Sequence, residues 1–204
     1  MAAIENGRRH TRDDVARTAL QILDEYGLPD LTMRRLAAAL DVQPSALYWH
    51  FPNKQTLLAE LADRIVTPTV QERDESDATP GARDAAAALR DALLTYRDGA
   101  EVVSTTLALG LGSSTARDGL AAAIMADGFD ADIAQRAATA LLHFVLGHVS
   151  HEQQRMQYDS IGVVTPDASI SAQWHDDPAT EFAFGVDLLI GGLELSRTAR
   201  WKAQ

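Results

Sequence analysis

The chain contains no cysteine. Disulfides, thiolate metal sites and thiol catalysis are therefore excluded, zinc fingers among them. Aromatic residues are scarce at 6%, and no stretch alternates apolar and polar residues as a half-buried strand would. Long apolar runs are missing too. None reaches membrane-spanning length, and no charged segment leading into an apolar one opens the chain, so a cytoplasmic location with no membrane partner is expected. Basic residues are also in deficit, 18 Lys and Arg against 29 Asp and Glu, for a net charge of −11. Such an excess argues against a polyanionic partner unless the charge is unevenly spread. It is: residues 1–66 hold eight basic and nine acidic side chains, the remainder ten and twenty. The first third is nearly neutral, with arginines clustered at Arg8, Arg9 and Arg12 and again at Arg34 and Arg35. Two parts with different partners are the natural reading.

What is present is helix. Hydrophobic residues make up 46% of the 204, rich in alanine and leucine, enough for a sizeable core. In "TRDDVARTALQILDEYG", Val15, Ala19, Ile22, Leu23 and Tyr26 fall at helical spacing and Gly27 suits the C-terminal cap. Thr32 is placed to cap "LTMRRLAAAL", with Leu31 and Leu36 as a hydrophobic staple. After a short turn at Asp41 and Val42, Pro44 takes the first position of another helix. Gln43 is its expected cap, Val42 and Leu47 its staple, and Pro52 halts it near His50. Asn53 caps "KQTLLAELADRIV". Two short helices joined by a tight turn and flanked by longer ones form the helix-turn-helix layout.

Beyond it, "TPTVQERDESDATPGARD" reads as a loop or frayed helix end. A helix ended by Gly99 follows, then "EVVSTTLALGLGSS" as a short helix or turn, then a helix closed by Gly128. A long helix with Asp130 or Asp132 as cap, an irregular stretch "IGVVTPDASISAQWHDDP" and a final apolar helix complete the chain. The fold class is all-α: an N-terminal three-helix helix-turn-helix domain over 1–66, a fourth helix at 53–68 as connector, and a C-terminal helical domain over 67–204.

The stretch "DVQPSALYWHFPNK" decides the function. With Leu47 and Phe51 turned towards Leu36 and Leu40, the N-terminal side of its helix faces away, and proteins of this layout set that end in the DNA major groove. Ser45 can meet a base edge or phosphate, and Pro44 and Ala46 a thymine methyl. Tyr48, His50 and Lys54 can reach phosphates, and Arg34 has the fork geometry for guanine. Thr32, Met33, Gln43 and Trp49 belong to the same candidate surface, although Trp49 is also expected to be partly core. Tyr48, Trp49 and His50 as core aromatics of a small bundle is the competing reading.

"LTMRRLAAALDVQPSALYWHFPNKQTLLAEL" closely resembles the N-terminal domain of tetracycline-repressor (TetR) family regulators. "YRDGAEVV", "LLHFVLGHV" and "EFAFGVDLLIGGLE" resemble the C-terminal domain of the tetracycline repressors in that family. The resemblance implies a homodimer on double-stranded DNA with a palindromic operator, its half-sites roughly 34–36 Å or slightly more apart, and a small-molecule effector bound in the acidic domain. Helices near 132–157 and 180–198 would form the dimer core, where Gly185, Gly191 and Gly192 allow close approach. The drug- and magnesium-binding positions of the tetracycline repressors fall at Val70, Ala85, Leu89, Val103, Leu120 and His151, with Thr106 and His143 retained. Nearly every polar contact has become aliphatic, and Mg²⁺ demands oxygen ligands. The resemblance with these replacements therefore implies an effector that is hydrophobic and is not tetracycline–magnesium.

Two further readings stand beside this one. A regulator of the same fold could act without a small-molecule effector. A metal-dependent enzyme could use His143, His148 and His151, with His175 or Glu152 completing a site. The loop "GLGSST" lacks the preceding strand and following Gly-Lys-Ser/Thr of a phosphate loop. No Ser-His-Asp or paired-carboxylate pattern has a supporting context, so no catalytic residue, metal or cofactor is assigned.

Overall fold

The computed structural model describes residues 10–67, 81–112, 114–160, 162 and 177–198. Residues 68–80, expected from the sequence to be a loop or frayed helix end, most of the stretch before residue 177, and Arg8, Arg9 and His175 lie outside these residues. Among the described residues nine helices and no strand are found: α1 (Arg12–Tyr26), α2 (Met33–Ala39), α3 (Pro44–Leu47), α4 (Lys54–Val66), α5 (Ala82–Leu94), α6 (Gly99–Ala108), α7 (Thr115–Ala126), α8 (Ala131–Ser160) and α9 (Pro178–Thr198). No helix among them is long and apolar enough to cross a membrane.

The first four helices form a small head in which local sequence signals set most helix ends. Thr11 and Asp14 form a capping box on α1, and Gly27 closes that helix at φ 84°. The Thr32 side chain accepts from the Arg35 N–H, and Asn53 and Thr56 form a second capping box on α4. Gln43 does occupy the N-cap of α3, but its side chain makes no capping bond. The helix itself is only four residues long, and a turn carries the chain to His50, whose N–H donates to the Leu47 carbonyl at 2.9 Å. Asp41 takes the left-handed conformation (φ 53°) in the turn between α2 and α3, which a short polar side chain tolerates. Leu23, Leu31, Leu36, Leu47, Phe51 and Leu61 close the core of the head, each at most 1% exposed. Trp49 is not core at all. It is 91% exposed, because Leu47 and Phe51, two residues to either side, take the inward positions.

The remaining helices wrap around α8. It packs against α5, α6 and α7, while α9 lies on α5 and α8, and α4 reaches down to α5 and α6. One core runs continuously from the head into this body. Gly99 does not end the preceding helix. That helix stops at Leu94, and Gly99 opens α6, where any side chain would collide with the Leu93 carbonyl. The "EVVSTTLA" segment is fully helical, with Val102, Val103 and Thr106 buried.

The α5–α6 corner is held from a distance. Gln153 of α8, 5% exposed, donates from Nε2 to the carbonyls of Leu93 (3.0 Å) and Tyr96 (2.8 Å) and accepts from the Ala100 N–H (3.3 Å). One amide thus serves the end of one helix and the start of the next. Asp98, left-handed at φ 57° and buried, accepts from the Leu28 N–H at 2.8 Å and from Gln157 at 2.5 Å. It ties the exit of α1 to the far end of α8, and so joins head to body.

Candidate nucleic-acid interface and effector region

None of the residues picked out for DNA contact is buried. Thr32, Arg34, Gln43, Pro44, Ser45, Tyr48 and Trp49 are exposed, and Met33, His50 and Lys54 half-buried. Thr32 also caps α2, so its hydroxyl already accepts from the backbone. Tyr48 is 49% exposed. Arg34 and its neighbour have different fates: Arg35 stacks over the Tyr26 ring at 3.6 Å and pairs with Asp30 at 2.6 Å, whereas Arg34 has no ion-pair partner among the described residues. Arg35 is a packing residue and Arg34 an unoccupied fork of donors. Lys54, in the first turn of α4, likewise has no acidic partner among the described residues. An exposed tyrosine, an exposed tryptophan and two cations without ion-pair partners among the described residues, on and beside a short helix, are equipped for a polyanion, not for a protein core.

Sequence reasoning missed the anchor beneath this surface. Arg12, at the start of α1, donates to the His50 carbonyl at 2.8 Å and to Glu60 Oε2 at 2.8 and 3.1 Å, and lies 4.2 Å over the Phe51 ring. Glu60 also receives Arg64 at 2.9 and 3.0 Å, and Arg64 reaches Asp13 at 2.7 Å. Burial of Glu60 opposes its ionisation, but hydrogen bonds from Arg12 and Arg64 outweigh it and hold the carboxyl below its ordinary range. Only the spacing of Glu60 and Arg64, four apart on one helix, was visible beforehand.

In the body, the positions aligned with the drug site are divided. Leu89 of α5, Val103 and Thr106 of α6 and Leu120 of α7 are all buried in the common core. The Thr106 hydroxyl donates back to the Val102 and Val103 carbonyls. Val70 lies outside the described residues. His143 is exposed on α8 and lines two adjoining grooves. One, of about 310 Å³, is bounded by Leu107, Leu111, Arg117, Thr139 and Leu142; the other, of about 270 Å³, by Glu101, Thr105, Leu146 and Ser150. His151, two turns further along α8, is exposed and borders neither groove.

The histidines do not converge. His148 is packed between Phe144 (5.7 Å) and Phe182 (5.3 Å), with Nε2 donating to the Pro178 carbonyl at 3.1 Å. It ties α8 to the first turn of α9. No group of three metal-ligating side chains occurs among the described residues.

The last helix has two apolar sides. Phe182, Val186 and Ile190 are buried against α5 and α8, whereas Phe184 (64% exposed), Leu188 (61%) and Leu195 (70%) form a second stripe facing outward. Gly185 faces the Phe144 ring, which a methyl group there would have to displace. A methyl group at Gly191 or Gly192 would meet nothing within 4 Å.

Comparison with known proteins accords with this arrangement. The chain matches the family model of bacterial regulatory proteins of the tetR family over residues 16–61 and that of the tetracyclin repressor-like C-terminal domain over residues 80–197. It is 35% identical to the tetracycline repressor protein class C of Escherichia coli over 202 residues, 91% of each chain. The crystal structure of Mycobacterium smegmatis BioQ is similar with a TM-score of 0.74 and 39% identity, covering 90% of this chain and 97% of that one. A structure of BioQ with its double-stranded DNA operator gives a TM-score of 0.72 and 36% identity over 90% and 98%. The chain therefore belongs to the tetR family of bacterial regulatory proteins. It is a DNA-binding transcriptional repressor and not an enzyme.

Proposed function

We propose that two copies of the chain bind a palindromic operator in the cytoplasm, each setting the N-terminal side of α3 into one of two successive major grooves, and that a small hydrophobic effector releases them. Residues 1–66 form the reading domain, with the helix at 53–68 as connector, and residues 67–204 bind the effector and dimerise. The observation that carries the reading is the exposed set around α3, with Arg34 and Lys54 unpaired among the described residues. Gln43, Pro44, Ser45 and Arg34 read base edges, while Thr32, Met33, Tyr48, Trp49, His50 and Lys54 seat the backbone. The outward stripe of α9 supports the dimer: three large apolar side chains bordered by two glycines suit a second copy of the same helix.

The effector reading rests on composition. Leu89, Val103 and Leu120 offer no side-chain oxygen to a magnesium chelate, and Leu107, Leu111, Leu142 and Leu146 line the grooves at His143 beside polar groups such as Thr139 and Ser150. A fluorescent duplex selected from a randomised inverted-repeat pool tests the DNA half. Binding must be saturable, weaken steeply with salt, and be lost when one half-site is scrambled. Lipophilic compounds that raise the melting temperature should release that duplex, and tetracycline with Mg²⁺ should do neither. A shift with tetracycline–Mg²⁺ equal to that of the best lipophilic compound overturns the effector reading while leaving the DNA reading intact.

A further inference from the structure

The two residues that flank Thr11, the N-cap of α1, each grip the exit of one helix of the helix-turn-helix. His10 Nε2 donates to the carbonyl of Leu40, which closes α2, at 2.9 Å. Arg12 donates to the carbonyl of His50, at the end of the turn that leaves α3, at 2.8 Å. Carbonyls at helix ends lack intrahelical partners, so a cation there satisfies them and interacts favourably with the helix dipole. α3 needs such help. It is four residues long, its N-cap side chain makes no bond, and only Leu47 of its residues is buried. A single turn has little stability of its own.

Arg12 alone would be a loose tether, because its side chain is 54% exposed. Its orientation comes from Glu60. One carboxylate oxygen takes two N–H groups of Arg12, the other takes two of Arg64, and Arg64 is fixed in turn by Asp13 on α1. The guanidinium lies over the ring of Phe51, a residue with no exposed surface. Two helices and a buried ring thus define where the remaining N–H of Arg12 points.

We infer that Arg12 and Glu60 are positioning residues for operator recognition: Glu60 aims Arg12 at the His50 carbonyl, and that bond sets the orientation of α3 and of Tyr48 and Trp49 beside it. The inference rests on α3 being the element that reads DNA. Its signature is a reversal of the ordinary electrostatic rule. Removing a negative charge from a DNA-binding head should strengthen binding to a polyanion. Here Glu60→Gln weakens it, because the aim of Arg12 is lost.

The experiment measures the affinity of the full-length protein and its variants for the selected palindrome and for a scrambled duplex of equal length, at several salt concentrations. Glu60→Gln should weaken palindrome binding by roughly fivefold, the upper range for an exposed charged pair. Scrambled-duplex binding should stay the same or tighten slightly, and the salt slope should not fall. Arg12→Lys keeps the charge but cannot reach Glu60 and His50 together, so it should give the same loss, and adding Glu60→Gln to it should change nothing further. Equal or tighter palindrome binding by Glu60→Gln overturns the inference. So does a loss that is the same on both duplexes, or a smaller salt slope in Arg12→Lys, which would mark Arg12 as a phosphate contact. Should Glu60→Gln unfold at the assay temperature, Arg12→Lys decides by itself, and full palindrome affinity in that variant refutes the proposal. A wild-type protein that ignores every palindrome refutes the reading of α3 instead, so the two failures are distinguishable.

Discussion

The head and the body solve the same problem of helix ends by opposite means. In the head, the groups that cap helix starts are close in sequence: Thr11 with Asp14, Thr32 with the Arg35 N–H, Asn53 with Thr56; only the exits of α2 and α3 are met from afar, by His10 and Arg12. In the body, the α5–α6 corner is satisfied by Gln153, more than fifty residues away, and by Asp98, which reaches back seventy residues to Leu28. The outer surfaces differ as well. The head turns polar aromatics and unpaired cations outward, while the body turns out an apolar stripe on α9. The contrast fits the two proposed tasks, presenting small rigid elements to a polyanion and joining a second copy of the chain.

The largest expected effect strikes the body and is read out at the head. Changing Phe184 and Leu188 together to Asp puts charges into the proposed α9 interface. The protein should become monomeric in sedimentation, and operator affinity should fall by roughly 10²–10⁴, the gain that two linked half-sites provide. A monomer that keeps full operator affinity would dissolve the link between the two regions.

Next is the difference between distant and local capping. Gln153→Leu deprives two carbonyls and one N–H of their partner in the core, and should cost about 3 kcal/mol of stability in urea unfolding. Asn53→Ala, in the head, should cost about 1 kcal/mol. Equal losses would mean that the α5–α6 corner relaxes or admits water. Arg34→Ala should leave unfolding unchanged, since Arg34 is exposed and has no ion-pair partner among the described residues. It should weaken the operator by about 1–3 kcal/mol and relax selection at one base position.

The smallest effect concerns pH. Despite the opposing effect of burial, hydrogen bonds from Arg12 and Arg64 hold the Glu60 carboxyl below its ordinary 4.5. The Asp13 carboxyl is held below its ordinary 3.8, first by its bond from Arg64. A depressed folded-state value means that the stabilisation is fully present above the ordinary value and is lost as pH falls through the depressed one. The head should therefore weaken on acidification below about pH 4.5, and Glu60→Gln should flatten that limb of a melting-temperature profile. An unchanged slope would show that the Arg12–Glu60–Arg64 chain is too well solvated to matter.

This contrast also explains how much was legible in the sequence. Caps, staples and the four helices of the head were readable because each signal lies within a few residues of its effect. Even there, Trp49 was misjudged, since a four-residue helix has too few turns for spacing to assign its faces. Gly99 was misread as a stop because the carbonyl that excludes a side chain, Leu93, is identified only by the fold. Gln153 sits on the buried side of α8 along with Val145 and Val149, so a polar residue in an apolar stripe was the one available sign of a distant cap. Of the drug-site positions, the alignment supplied which residues correspond. It could not say that Leu89, Val103 and Leu120 are packed into the core while His143 is left at the edge of two grooves.

The account depends on two short α3 helices being held at a fixed separation by a symmetric pair of chains. Sedimentation of the protein with its selected palindrome, followed by the absorbance of a dye on the DNA, addresses that directly. The expected result is two chains per duplex, with log affinity falling steeply and linearly in log salt. A complex of one chain per duplex with undiminished affinity, or equal binding to a duplex whose second half-site is scrambled, would contradict it.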